Sequence, residues 1–75
     1  MLLDSVLSRQ YMQTNIRIVD WASGTVLYAG KVSALPFVVY DTCKMCEVRR
    51  FDLSESYSIP ILIIGIDKIE TEIKT

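Results

Sequence analysis

The sequence predicts an α+β fold, with a short N-terminal helix packed on a small antiparallel sheet of two β-hairpins. Three observations carry that reading. Apolar residues recur at helical spacing near the N-terminus. Two β-prone runs within residues 15–29 flank a turn of the hairpin kind. The stretch from Ile59 to Ile66 is apolar on both faces, as a central strand would be. At 75 residues the chain is a single small domain, residues 1–75. A lone core of this size contributes only about 3–5 kcal/mol net. Yet 51% of the residues are apolar, more than a small globule readily hides. A protein partner, a second copy of the chain, or both are therefore expected to cover the remainder.

Leu2, Leu3, Val6 and Leu7 fall on one side of a helix, and Tyr11 extends the Leu3/Leu7 line at i+4. Asp4, Ser5, Ser8 and Arg9 take the other side. This predicts an amphipathic helix over about residues 2–11, broken at Gln13-Thr14-Asn15. Ile16 and Ile18 then alternate with Arg17 and Val19. The run Thr25-Val26-Leu27-Tyr28-Ala29 answers them, and Gly30 ends it. Between the runs, Asp20 can bond its own backbone two residues on, and Gly24 can supply a left-handed residue. The pattern predicts a hairpin closed by a G1 bulge.

Pro36 forces Leu35 out of helical geometry. Residues 31–36 therefore read as a crossing loop, and 37–41 as extended chain or a short turn. Residues 45–53 read as a strand, with Glu47, Arg49, Phe51 and Leu53 on one face and Cys46, Val48, Arg50 and Asp52 on the other. Ser54-Glu55-Ser56-Tyr57 reads as the turn of a second hairpin. Ile59 to Ile66 is its return strand, and Pro60 near its start is where a proline does least harm. One face of this strand meets the core, and the other needs a cover, either the N-terminal helix or a second chain. The tail, residues 67–75, fits both the strand and the helix period; its threonines and isoleucines favour strand.

Charge narrows the function classes. The net charge is −1, with eight basic residues that are scattered apart from Arg49-Arg50. Nucleic-acid binding normally needs a clustered basic surface. The scatter argues against it, and against a polybasic membrane anchor. Arg17, Arg49 and Arg50 are the residues a nucleic-acid-contacting module would use. The N-terminus lacks the pattern of a signal peptide, and the longest apolar run is well short of the ~20 residues that span a bilayer. Two cysteines without an export signal read as reduced thiols in the cytoplasm.

Cys43-Lys44-Met45-Cys46 is the one place where chemistry could sit, because the chain has no histidine and no other cysteine. In a strand these residues would lie roughly 10 Å apart at ~3.3 Å per residue, beyond the reach of about 7 Å that a disulfide tolerates. They converge only if a turn or helix forms at Cys43. A helix starting there would lower the thiol pKa. Zinc is the one cofactor to consider. One chain offers two ligands where a structural site takes four, so Cys43 and Cys46 of two chains would have to share the ion. A redox-sensitive dimer through the same pair is the related alternative. The bland reading is two reduced, buried small hydrophobes.

Thr42-Cys43-Lys44-Met45-Cys46 after Phe37-Val38-Val39-Tyr40 resembles the strand-then-CxxC opening of the thioredoxin and glutaredoxin superfamily. Ser58-Ile59-Pro60 is similar to its later Thr-Val-Pro segment. That resemblance implies thiol redox chemistry. However, the superfamily has a helix after the CxxC and a further helix and strand before the proline. Only 13 residues separate Cys46 from Pro60 here. The usual proline within the CxxC is also absent.

No acid–base pair of carboxylates is evident. The serines have no histidine to activate them, and the three glycines form no phosphate loop. The expectation is a non-enzymatic protein-interaction module that also associates with itself. Its candidate contact residues are Trp21, Tyr28, Arg49 and Arg50. Tryptophan and arginine are over-represented where interfaces concentrate their energy. The competing reading has Trp21 folded over its own hairpin, Tyr28 filling the core, and the arginines paired with neighbouring acids on a solvated strand. Ile16-Arg17-Ile18-Val19-Asp20, Ser23-Gly24-Thr25-Val26-Leu27-Tyr28, Gly30 and Leu35-Pro36 together resemble short uncharacterised proteins of phages and mobile elements of Gram-positive bacteria. They cover about a fifth of the chain. Such proteins share no assigned activity, so the resemblance implies no site residue.

Overall fold

A computed structural model describes residues 1–56 and 58–67. In chain order the elements are α1 (Leu3–Leu7), β1 (Asn15–Asp20), β2 (Thr25–Lys31), a single 3-10 turn (Val32–Ala34), α2 (Phe37–Cys43), β3 (Val48–Ser56) and β4 (Ile59–Ile66). The α+β class is as expected, but the sheet is mixed rather than antiparallel throughout. Its four strands run in the order β2-β1-β4-β3. β1 is antiparallel to β2, and β3 to β4, while β1 and β4 pair in parallel at the centre. β2 and β3 therefore form opposite edges, and α2 carries the chain between them.

The parallel register sets Ile16 beside Leu62, Ile18 beside Ile64 and Asp20 beside Ile66. Paired residues in a sheet point to the same side. Ile16, Ile18, Ile64 and Ile66 thus form one buried layer, and Leu3, Val6 and Leu7 of α1 close over it together with Cys43 and Cys46. All four isoleucines are at most 1% exposed. The residues between them, Arg17, Val19, Ile61, Ile63 and Gly65, lie on the opposite side.

Several expectations require correction. Helix α1 stops at Leu7, and Arg9 and Gln10 donate back to Val6 and Leu7 in tight turns. Tyr11 therefore leaves the Leu3/Leu7 line and is 86% exposed. Five residues cannot hold a helix by local bonding alone. Instead, the Leu3 and Asp4 N–H groups donate to the carbonyls of Cys46 and Lys44, at 2.9 and 3.0 Å. Residues 37–43 form helix α2 rather than extended chain. Pro36, with extended backbone, caps its start. Val39, Tyr40 and Cys43 then face the core at helical spacing. Tertiary burial outweighs the β preference of Val38-Val39-Tyr40.

The first hairpin has a four-residue loop, Trp21 to Gly24, because Asp20 pairs with Thr25. Its bulge lies at Leu27 and not at the turn: Ile18 pairs with Tyr28 and Val19 with Val26. A second bulge sits at Arg49, between the pairs Val48/Ile66 and Arg50/Gly65. It places Val48 on the same face as Phe51 and Leu53, which reverses the expected assignment of Val48 and Arg49. β3 also continues to Ser56 through the expected turn. Ser56 pairs with Ile59, and Ser58 adopts φ +66°. The expectation for the tail falls on residues that, beyond Asp67, lie outside those described. Among the described residues no helix is long and apolar enough to cross a membrane.

The isoleucine layer should dominate stability. Ile64→Ala should cost about 2–5 kcal/mol, comparable to the whole stability of so small a domain, about 3–5 kcal/mol. Tyr11→Ala, at a residue 86% exposed, should change it by at most about 0.5 kcal/mol. Urea unfolding followed by circular dichroism measures both.

Candidate functional site

The site is built on the β1–β2 turn. Asp20 is 6% exposed and organises the loop with its carboxylate. Oδ1 accepts from the Ala22 N–H at 3.2 Å, and Oδ2 accepts from Ser23 Oγ at 2.9 Å. The Gly24 N–H closes the loop on the Asp20 carbonyl at 2.7 Å. Gly24 has φ +77°, a conformation in which a β-carbon is strained. This local bonding directs Trp21 back along the sheet. Its N–H donates to the Ile66 carbonyl at 2.9 Å, extending the β1–β4 ladder.

The Trp21 ring lies on Gly65 of β4 and not on its own hairpin. A β-carbon placed on Gly65 would come within 2.7 Å of Trp21 Cε3. Glycine is what lets the ring sit flat. Arg50, which pairs with Gly65 across β3–β4, stacks its guanidinium 5.2 Å from the centre of the indole. Arg50 Nε also donates to Asp52 at 3.1 Å. The result is a layered cluster of glycine, indole and guanidinium, with the cation held in orientation by a carboxylate.

Around this cluster the register lays out the face of the sheet opposite α1. One row runs Val26, Val19, Gly65, Arg50; the next runs Ala29, Arg17, Ile63, Asp52. Val26 is 50% exposed and Trp21 43%, and Val19, Ile61 and Ile63 are half-buried. Among the described residues, neither helix packs on this side. Arg17 was singled out only for nucleic acid, and Val19, Ile61 and Ile63 were not singled out in the sequence. Their signal was the alternation itself: whichever set faces away from the core must form the other surface.

The four candidate contact residues do not all converge. Trp21 and Arg50 meet. Tyr28 lies on the covered side, packs against the core, and donates its hydroxyl to the Lys31 carbonyl at 2.7 Å. Arg49 sits in the bulge and pairs with Asp67 at 3.3 Å.

Cys43 and Cys46 do converge, though not as a helix start. Cys43 ends α2, and the Cys46 N–H folds back onto its carbonyl at 2.9 Å. Both residues are at most 6% exposed and belong to the same buried cluster. Burial pushes both thiols up in pKa, Cys46 from its ordinary value near 9 to about 11. A zinc ion shared by two chains needs exposed thiolates, and burial opposes both exposure and ionisation here. A redox nucleophile needs the same. Among the described residues, no group of three or more acidic or cysteine side chains is arranged to hold a metal. The pair sits in the core cluster beneath the turn that receives α1.

A groove of about 500 Å³ also opens between α1 and α2, lined by Leu7, Met12, Leu35 and Phe37 among others. Its polar feature is the Tyr40 hydroxyl, which donates to Asp4. That bond raises the Tyr40 pKa and ties the helices together. It leaves no free acid or base poised in the groove.

Two measurements probe this description. A folded-state pKa raised by burial means that the thiol favours the fold while it stays protonated. That contribution is intact below the ordinary value near 9 and is lost as the pH climbs toward 11. The stability of the wild type relative to Cys46→Ala should therefore be constant up to pH 8 and fall from pH 9 to 11. Gly65→Ala should displace the indole, shift tryptophan emission to longer wavelength, and cost about 1 kcal/mol. Comparison with known proteins found no matching family model, no matching curated protein and no matching solved structure.

Proposed function

We propose that the chain is a non-enzymatic protein-interaction module whose recognition surface is the sheet face centred on Trp21 and Arg50, and that it also associates with itself. One observation carries this reading. A tryptophan laid on glycine, with an arginine over its ring, stands among Val19, Val26, Ile61 and Ile63 on a face the helices leave open. Tryptophan and arginine held in place this way lose little freedom on binding. They are the residue types that concentrate affinity in protein interfaces. Two protonated, free thiols suit a reducing compartment such as the cytoplasm. Arg17 and Arg50 share the face with Asp52, which gives a mixed surface rather than the basic stripe that nucleic acid requires.

The test compares wild type, Trp21→Ala and Arg50→Glu as immobilised baits, with bound proteins identified by mass spectrometry. The expected outcome is a specific set held by the wild type and lost at least tenfold by both variants, with retention only weakly dependent on salt. Equal retention by all three baits would discard the Trp21–Arg50 surface. Steep salt dependence together with co-purifying nucleic acid would favour a nucleic-acid module instead.

A further inference from the structure

We infer that a second copy of this chain docks along the outer edge of β3, in an antiparallel register centred on Asp52. This rests on the reading of the chain as self-associating, and it names the surface and the register.

β3 is an edge strand, and its outer side is only partly occupied. The N-terminal segment covers residues 46–48: Leu2 bridges Glu47, the Val48 N–H donates to the Met1 carbonyl, and the Leu3 N–H donates to Cys46. From Arg49 onward the edge is bare among the described residues. Its backbone direction follows from Pro60. Glu55 pairs with Pro60, which has no N–H to give, so that pair is not hydrogen-bonded. Antiparallel pairs alternate, so Phe51/Ile64 and Leu53/Leu62 are not hydrogen-bonded either. The N–H and C=O groups of Phe51, Leu53 and Glu55 therefore point outward.

The residues along this edge complement themselves. In an antiparallel pairing about Asp52, Phe51 meets Leu53 of the second copy, twice by symmetry. Arg50 meets Ser54, also twice, while Arg49, turned to the other face by its bulge, stays with Asp67 of its own chain. Phe51 is 46% exposed and Leu53 78%, on the same side as the core but beyond the cover of the helices. The pairing joins them into one apolar strip. It also makes Phe51/Leu53 the hydrogen-bonded pair that the outward backbone groups require. It uses residues 49–55 and stops where the N-terminal segment begins. The two Asp52 carboxylates face each other at the dyad, a like-charge contact that Arg50 of each chain, at 3.1 Å, offsets. The other edge has protection that this one lacks: β2 is bulged at Leu27 and ends in Gly30-Lys31, whereas residues 50–55 contain no lysine, proline or glycine.

Sedimentation equilibrium from about 10 μM to 1 mM tests the inference. Circular dichroism first confirms that each variant is folded. Leu53→Glu should weaken the dimer roughly three- to tenfold, since it sets a charge against the Phe51 ring at two places. Adding Phe51→Lys to that chain should restore most of the wild-type constant by pairing opposite charges at the same two places, a rescue that a purely structural effect would not show. Asp52→Cys should form a covalent dimer on mild oxidation. A wild-type dimer indifferent to these charge changes would overturn the β3 edge while leaving self-association standing. A strictly monomeric wild type at 1 mM would overturn both.

Discussion

The parallel pairing of β1 with β4 is the contact on which the rest of the structure depends. Each hairpin alone has one apolar strand and one largely polar or exposed strand. Neither can bury its isoleucines without the other. Setting Ile16 and Ile18 beside Leu62 and Ile64 creates a four-residue-wide apolar layer, large enough for two very short helices to pack on. Parallel strands cannot be joined by a tight turn. The intervening chain must therefore cross the sheet, and α2 is that crossing.

The same pairing makes the two faces unequal. With the covered face filled by isoleucine, the alternate positions of β1 and β4 carry Arg17, Val19, Ile61, Ile63 and Gly65 outward. Glycine at the fifth of these gives Trp21 a flat bed on the strand next to its own. The turn after α2 has a complementary role. Its carbonyls receive the first amides of α1, its cysteines fill the space below, and Met1 pairs with the start of β3. A segment whose sequence suggests chemistry thus serves as a docking plate, and burial keeps its thiols protonated.

Much of this was legible in the residues. Asp20 and Gly24 announced the first turn through self-bonding and left-handed geometry, and both do what their side chains favour. The run from Ile59 to Ile66 announced a central strand because eight residues make only a short helix and isoleucine favours a strand. Helix α2 was not legible. Val38, Val39 and Tyr40 prefer strands, and only the cluster under Val39 and Cys43 tips them into a helix. The two bulges were equally hidden. Leu27 and Arg49 look like ordinary strand residues, and each bulge is visible only as a mismatch between paired strands. Trp21 and Arg50 were each singled out in the sequence, but not as a pair, since nearly thirty positions of chain separate them and β4 lies between their strands in the sheet.

The sequence alone determined the α+β class, the existence of the first turn, a central apolar strand at Ile59–Ile66, and the lack of a histidine-based site. These follow from local bonding, from periodicity and from composition, which need no partner. The tertiary structure alone decided the strand order, the parallel centre, the helix at residues 37–43, the convergence of Cys43 with Cys46 and the meeting of Trp21 with Arg50. Each of those depends on which side of which strand another segment reaches. That choice is made by how the whole set of apolar side chains can be buried at once, and no short stretch of chain carries it.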